Sequence, residues 1–238
     1  MGRWQDVGAV NGALAIFVKT PGHSPVKTRL AVSIGSEAAE AFHGLAARAV
    51  AEAAAVLAGG EDGWQVYWAV AERAAMDAPV WPGQPRLWQG EGGLGERLDR
   101  VYASLHAIHG QVLLVGADSP QLTPDLLRQA RHCLDEAGSP FVMGEANDGG
   151  FWLFGGRTRV AREVWCGVRY SQQDTAAQLR AALRPHGTLA ELTRLSDVDR
   201  GEDLEVLVEA LEALPSPLPA QRALLHWLKR QRLPIAQA

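Results

Sequence analysis

Cysteine is almost absent. The 238 residues contain two, Cys133 and Cys166, with no CxxC and no Cys/His cluster. That excludes a disulfide framework and a zinc site of ordinary spacing, and both are expected to be buried apolar residues. No run of about 18 uninterrupted apolar residues occurs, so no transmembrane helix is expected. There is no basic excess either: the net charge is -4, which argues against a nucleic-acid partner. The opening "MGRWQDVGAVNGALAIFVK" lacks the charged and long apolar regions of a signal peptide, and Asp6 stands where a myristoylation signal needs Ser or Thr. Repeats and low-complexity linkers are missing as well. With 47% hydrophobic and 21% charged residues, the composition is that of a folded globular protein. A cytoplasmic enzyme or binding protein is expected, as a single domain over residues 1–238. In it "LPSPLP" (214–219) sets off a C-terminal helical extension from about 215.

What is present is alternation. "ALAIFV" (13–18), "WQVYWAV" (64–70) and "QVLLVGA" (111–117) read as strands, as do 140–146, 150–156 and 188–195. Between them lie helical patterns. Residues 36–58 place Phe42, Leu45, Ala49, Ala53 and Val56 on one face, and Leu94, Leu98, Val101, Leu105 and Ile108 keep helical spacing. Thr123-Pro124-Asp125 opens a helix with a cap, a proline at the first position and an acid in the first turn. Further helices are expected over 173–184, 200–213 and 218–231. Strands alternating with helices imply a mostly parallel sheet covered on both faces, with ligands beyond the carboxyl ends of the strands.

At the end of the first strand comes "KTPGHSPVKTRL" (19–30), which packs Lys19, Lys27 and Arg29 into a stiff loop. Pro21 and Pro25 fix φ, and Gly22 supplies a turn closed to other residues. Such stiffening aims three cations at one place, which suits phosphate; the alternative is a solvated charge run. A P-loop is excluded: Val26, not glycine, precedes Lys27-Thr28, and Gly22 is one residue too close. Lys27 is therefore expected to be a loop cation whose loss weakens nucleotide binding with little cost in stability.

Acids follow other strands. Asp118 stands directly after "LLVGA", where a single carboxylate beside a phosphate loop suits magnesium; the alternative is a turn or capping acid, although Thr123 already looks like the cap of the following helix. Asp197 and Asp199 alternate in "LSDVDRGEDL", so in extended chain they share a face. Asp199 also begins an Asp-x-x-Glu capping box with Glu202. Asp148, in "NDGG", is either a hairpin turn residue or an acid facing the ligand. "LWQGEGGLGERL" (87–98), including Gly95, is a glycine-rich lead into a helix that either meets an anion or is a flexible loop. Trp152, beside that hairpin, is expected in the core rather than stacked on a base.

Taken together, "FVKTPGHSPVKTRL", "QGEGGLGERL", "VGADSPQL", "EANDGGFWLFG", "VRYSQQDTAAQL" and "LSDVDRGEDL" resemble, in the same order, the glycosyltransferase-like DUF2064 group of bacterial proteins. That group lies within the nucleotide-diphospho-sugar transferase superfamily. The resemblance implies a Rossmann-like, GT-A-type three-layer α/β/α domain with a mostly parallel, mixed central sheet. It also implies nucleotide phosphates near Lys19, Lys27 and Arg29, and a magnesium or manganese ion on Asp118. Asp199 falls in an Asp-Val-Asp motif that also occurs near the end of related nucleotidyltransferases, where the acid helps hold the metal. Two departures stand out: Phe151-Trp152 replaces the more frequent pair of tyrosines, and "ADSP" carries one acid where many sugar transferases have Asp-x-Asp.

Three functions follow as expectations. The first is metal-dependent glycosyl transfer from a nucleotide-sugar to a small-molecule acceptor. The second is nucleotidyl transfer, in which a phosphorylated acceptor attacks a triphosphate and pyrophosphate leaves. The third is a nucleotide-binding module without turnover.

Overall fold

A computed structural model describes residues 12–60, 63–136 and 138–231 of the chain; the expectations about the N-terminal stretch before Gly12 lie outside them. The strands are β1 (Gly12–Val18), β2 (Trp64–Val70), β3 (Arg86–Trp88), β4 (Val112–Gly116), β5 (Phe141–Ala146), β6 (Phe151–Gly156) and β7 (Leu189–Leu195). The helices are α1 (Thr28–Ile34), α2 (Ser36–Ala58), α3 (Leu94–His109), α4 (Pro124–Asp135), α5 (Arg162–Cys166), α6 (Thr175–Leu183), α7 (Asp203–Glu212) and α8 (Pro219–Arg230).

Among the described residues the strands form one sheet in the order β3-β2-β1-β4-β6-β5-β7. β6 is antiparallel to both of its neighbours, and the other pairings are parallel. β1 sits between β2 and β4, which explains why its run is apolar with almost no polar interruption. Its side chains alternate between two cores: Leu14 and Ile16 meet one face, Ala13 and Ala15 the other. The first face is covered by α2 and α4, the second by α3, α5 and α6. A third cluster joins α1, α2, α7 and α8 around Phe42, Leu204, Leu207 and Leu224. The C-terminal helix is thus packed into the body of the fold. Buried Gln221 donates to the carbonyls of Pro120 (3.0 Å) and Leu122 (2.9 Å), just past β4.

The long helix and the hairpin form where the sequence places them. Thr123 caps α4, its Oγ1 accepting from the Leu126 N–H at 3.3 Å. Three elements were not anticipated, α1, α5 and β3, because seven, five and three residues are too few to display a period. Two details are corrected. Val56 points outward, 41% exposed, since the buried face of α2 runs instead through Val50, Ala54 and Leu57. Cys166 is exposed and Cys133 only half-buried, so neither is a core residue. α2 is long and apolar enough to span a membrane by length and composition; in the fold it covers the sheet, with ten of its residues buried.

The β5–β6 hairpin turns on Gly149, at φ +89°. A Cβ there would lie 1.8 Å from the Gln173 carbonyl oxygen, so only glycine allows the turn to seat against the start of α6. Its carbonyl accepts from the Ala176 N–H at 2.9 Å. Gly149→Ala is expected to cost about 3 kcal/mol, combining left-handed strain with a backbone clash. Urea unfolding of the variant checks this; an unchanged midpoint would show that the turn can relax.

Candidate functional site

Between β1 and β4 the chain order reverses, since β1 leads outward to β2 while β4 lies on the opposite side. Ligands of open α/β sheets gather at such a point, beyond the carboxyl ends of the strands. A cleft of about 700 Å³ opens there. Its wall includes Lys19, Lys27, Arg29, Asp118, Asp148 and Asp199, so the structure brings together the cations of one loop and the acids of three others.

Lys27 is at the centre. It starts α1 with a left-handed backbone (φ 46°, ψ 42°), a conformation costly for a residue with a Cβ. Its side chain is only 5% exposed. The ammonium donates to Asp118 Oδ1 at 2.8 Å, to the Val198 carbonyl at 2.6 Å and to Asp199 Oδ1 at 3.3 Å. Burial works against its charge, and the Asp118 carboxylate with its hydrogen bond outweighs that, leaving the Lys27 pKa above its ordinary value. For Asp118, burial pushes the carboxyl up, but the Lys27 charge and hydrogen bond draw it below the usual range. The expected loop cation is therefore a buried one. An ammonium has three donors, and here all three meet protein acceptors. Removing Lys27 would leave two carboxylates facing each other, so the change costs stability, contrary to the sequence expectation.

Asp199 is not the helix cap its spacing suggested. The residue before α7 is Glu202, and no side chain caps there. Instead Asp203 Oδ2 accepts from the backbone N–H groups of Asp199 (2.8 Å) and Arg200 (2.7 Å). The Asp199 carboxylate is left to Lys27 and to Arg29, whose Nη1 is 3.4 Å from Oδ2. Asp197 accepts from Ser119 Oγ at 2.5 Å. Burial, together with the nearby Asp118 and Asp148 charges, raises its pKa to about 7 against the lowering effect of the Ser119 bond and of Lys27. Asp148 itself is exposed on the cleft wall, and its Oδ1 accepts from the Gly150 N–H at 2.9 Å.

Lys19 and Arg29 are exposed and both line the cleft, as does half-buried Arg97 near the start of α3. Gly92, Gly93 and Leu94 line the cleft at that helix start, the end where the helix dipole is positive. Gly95 does not line it: a Cβ there would lie 2.6 Å from the Trp165 carbonyl oxygen, so this glycine serves the contact between α3 and α5. Pro21 and Gly22 shape the turn, Gly22 at φ +80°, without reaching the cleft wall. Trp152 is buried, its indole N–H donating to the Thr193 carbonyl at 3.1 Å.

Sequence reasoning overlooked His43, Gln89, Arg97 and the 170–172 turn, all on the wall. His43 lies in the apolar face of α2, where it reads as one more core position. Its Nε2 donates to the Lys19 carbonyl at 2.9 Å, and burial holds its imidazole below the ordinary value. Ser171 is, with Lys27, one of two non-glycine residues at positive φ among the described residues. Both border the cleft, and such strain gathers at functional sites.

Among the described residues no group of three or more His, Cys, Asp or Glu forms a ready cage for a metal. The donor set nonetheless suits a hard divalent cation. Asp118 and Asp199 both reach one point, now held by a cation, and each is nearly half exposed to the cleft. Magnesium is commonly bound by one or two carboxylates with phosphate oxygens supplying the rest.

Comparison with known proteins bears on the fold. The family DUF2064, described as "Uncharacterized protein conserved in bacteria", matches residues 53–172. That span includes Asp118 and Asp148 but neither Lys27 nor Asp199. No curated protein matches. A protein from Desulfovibrio desulfuricans G20, provisionally named a nucleotide-diphospho-sugar transferase, is similar in structure, with TM-score 0.78 and 22% identity over 93% of this chain and 96% of its own. A CMP:2-keto-3-deoxy-manno-octonic acid synthetase complexed with CTP follows at TM-score 0.53 and 13% identity, covering 85% and 98%. A cytidylyltransferase from Leptospira borgpetersenii serovar Hardjo-bovis is similar at TM-score 0.54 and 12% identity, covering 92% and 94%. At these identities the likeness establishes the fold that the sequence resemblance implied.

The acid cluster generates a pH prediction. Asp197 titrates at about 7 in the fold against an ordinary 3.8, so the native state binds its proton more tightly than the unfolded chain. Its contribution is full below about 3.8 and is lost as pH rises toward 7. Asp197→Asn is expected to flatten that part of the stability curve. Denaturation midpoints of both proteins from pH 4 to 8 check it; parallel curves would show that Asp197 is ionised throughout.

Proposed function

The chain belongs to the DUF2064 family, and on that premise we propose that it is a metal-dependent transferase using a nucleotide-activated donor, most simply a nucleotide-sugar. The observation that carries this reading is the meeting of Asp118 and Asp199, from the ends of β4 and β7, beside a cationic loop at the β1/β4 switch point. Fold similarity to a nucleotide-diphospho-sugar transferase and to a synthetase that binds CTP supports it. The cytoplasmic location belongs to the same proposal.

In this reading Asp118 and Asp199 hold magnesium or manganese. The bound ion supplies charge neutralisation at the donor phosphates. Lys19, Arg29 and the start of α3 add positive potential for those phosphates. During glycosyl transfer the bond from the anomeric carbon to the diphosphate oxygen breaks, and the acceptor oxygen forms the new bond. Its proton passes to a carboxylate, and Asp148 and Asp197 are the acids at hand. Preorganised charge of this kind is the largest contribution in such transfers.

A second reading, nucleotidyl transfer, has its own support. The second acid arrives from the end of β7 and not from an Asp-x-Asp beside Asp118, and the sequence resemblance ties that late motif to nucleotidyltransferases. Leaving groups separate the two. With a panel of nucleotide-sugars and manganese, release of nucleoside diphosphate without pyrophosphate is expected, and Asp118→Asn should reduce it by roughly a hundredfold or more. Pyrophosphate released from a triphosphate, and lost in Asp118→Asn, would establish the second reading instead. Undiminished metal-dependent turnover in the variant would remove Asp118 from the site. Tight nucleotide binding with neither product would leave a binding module.

A further inference from the structure

Lys27 stands where the proposed metal ligands converge. Its ammonium touches Asp118 and Asp199 at once, at 2.8 and 3.3 Å, and is tied from a third side by the Val198 carbonyl at 2.6 Å. No donor remains for a phosphate oxygen. The side chain is almost wholly buried, and its root is fixed by the left-handed backbone that opens α1. Arg29 approaches the other oxygen of Asp199 at 3.4 Å. The two carboxylates are therefore already compensated by cations belonging to the protein.

From this arrangement we infer that Lys27 is a built-in counter-ion. It holds the Asp118–Asp199 pair together in the nucleotide-free protein and keeps a divalent cation out until a nucleotide arrives with it. The inference rests on the metal-dependent reading above and adds an order of binding to it. A divalent ion on either carboxylate would stand a few ångströms from the ammonium, where like charges repel strongly in a partly buried site. Nucleotide phosphates change the balance. They bring several negative charges and the remaining oxygen ligands, so the ion enters as a metal–nucleotide complex and not alone.

The experiment measures manganese binding by paramagnetic resonance of the free ion, without nucleotide and with UDP, GDP, CDP or ADP. Wild-type protein is expected to bind manganese alone weakly and to bind it readily with one of the nucleotides. Lys27→Met, which keeps the aliphatic stem and removes the charge, should bind manganese alone at least tenfold more tightly. Adding Asp118→Asn to it should abolish the gain, and Lys27→Arg, which retains the charge, should show none. If the wild type binds manganese with nucleotide and Lys27→Met gains nothing without it, the counter-ion role is overturned while the proposed function stands. If the wild type binds no manganese with any of the nucleotides, the metal reading falls and this inference with it; if it binds manganese alone as tightly as with a nucleotide, this inference alone is overturned. Should Lys27→Met not fold, the side-chain nitrogen resonance of Lys27 in the wild type decides. It is expected to stay unmoved by magnesium alone and to shift when magnesium and nucleotide are added together; a shift with magnesium alone overturns the inference.

Discussion

The Lys27 ion pair is the contact on which the rest of the site depends. It ties the loop after β1 to the ends of β4 and β7, segments 91 and more residues apart in the chain. A cation this deeply buried is tolerable only when its donors are filled and its charge is matched. That requirement constrains all three segments together. The β4 and β7 ends are also joined directly: the Val198 N–H meets the Asp118 carbonyl at 3.3 Å, Gln121 donates to the Ser196 carbonyl at 2.7 Å, and Ser119 donates to Asp197. Two acidic loops that would otherwise repel are thereby closed against each other, with the lysine as the third party.

The cationic loop is held from its far side by residues with no motif of their own. His43 fixes the Lys19 carbonyl, the Glu72 carboxylate accepts from the Thr20 N–H at 3.0 Å, and the Trp81 indole donates to Thr20 Oγ1 at 3.0 Å. Gln89, wholly inside, donates to the carbonyls of Val18 and Ala69 where β1 and β2 end. Pro21 and Pro25 stiffen the loop locally, but its position relative to the sheet comes from these long-range contacts. Here lies the link between packing and function: the α2 face that buries Phe42 also presents His43 to the loop that carries the site.

Legibility in the sequence follows the physics of each feature. Strands such as β1 and β2 were readable because both of their faces are buried, so composition alone marks them. Asp118 was readable as a strand-end acid because the strand before it is unmistakable. The burial of Lys27 was not readable, since sequence gives no burial: a lysine between Pro25 and Arg29 looks solvated until the ends of β4 and β7 close around it. Asp199 misled in the opposite way. The Asp-x-x-Glu spacing fits a capping box, yet the helix starts three residues later and Asp203 takes the backbone N–H groups instead. Gly95 sat in the right loop, but its lack of a side chain serves α5, a helix too short to be foreseen.

Charge gives the last constraint. The acids Asp118, Asp148, Asp197 and Asp199 share the cleft with Lys19, Lys27, Arg29 and Arg97, so the site is close to balanced although it is densely ionic. A purely basic cleft would take a nucleotide without a metal, and a purely acidic one would take the metal without the nucleotide. A balanced cleft favours a ligand that carries its own compensation, an anion already paired with a divalent cation. The cations Lys19, Arg29 and Arg97 come from the loop after β1 and the start of α3, while Asp118, Asp197 and Asp199 follow the ends of β4 and β7. Lys27 is the exception, a cation among the acids, and its three filled donors fit the inferred role of holding Asp118 and Asp199 together until a divalent cation arrives with a nucleotide.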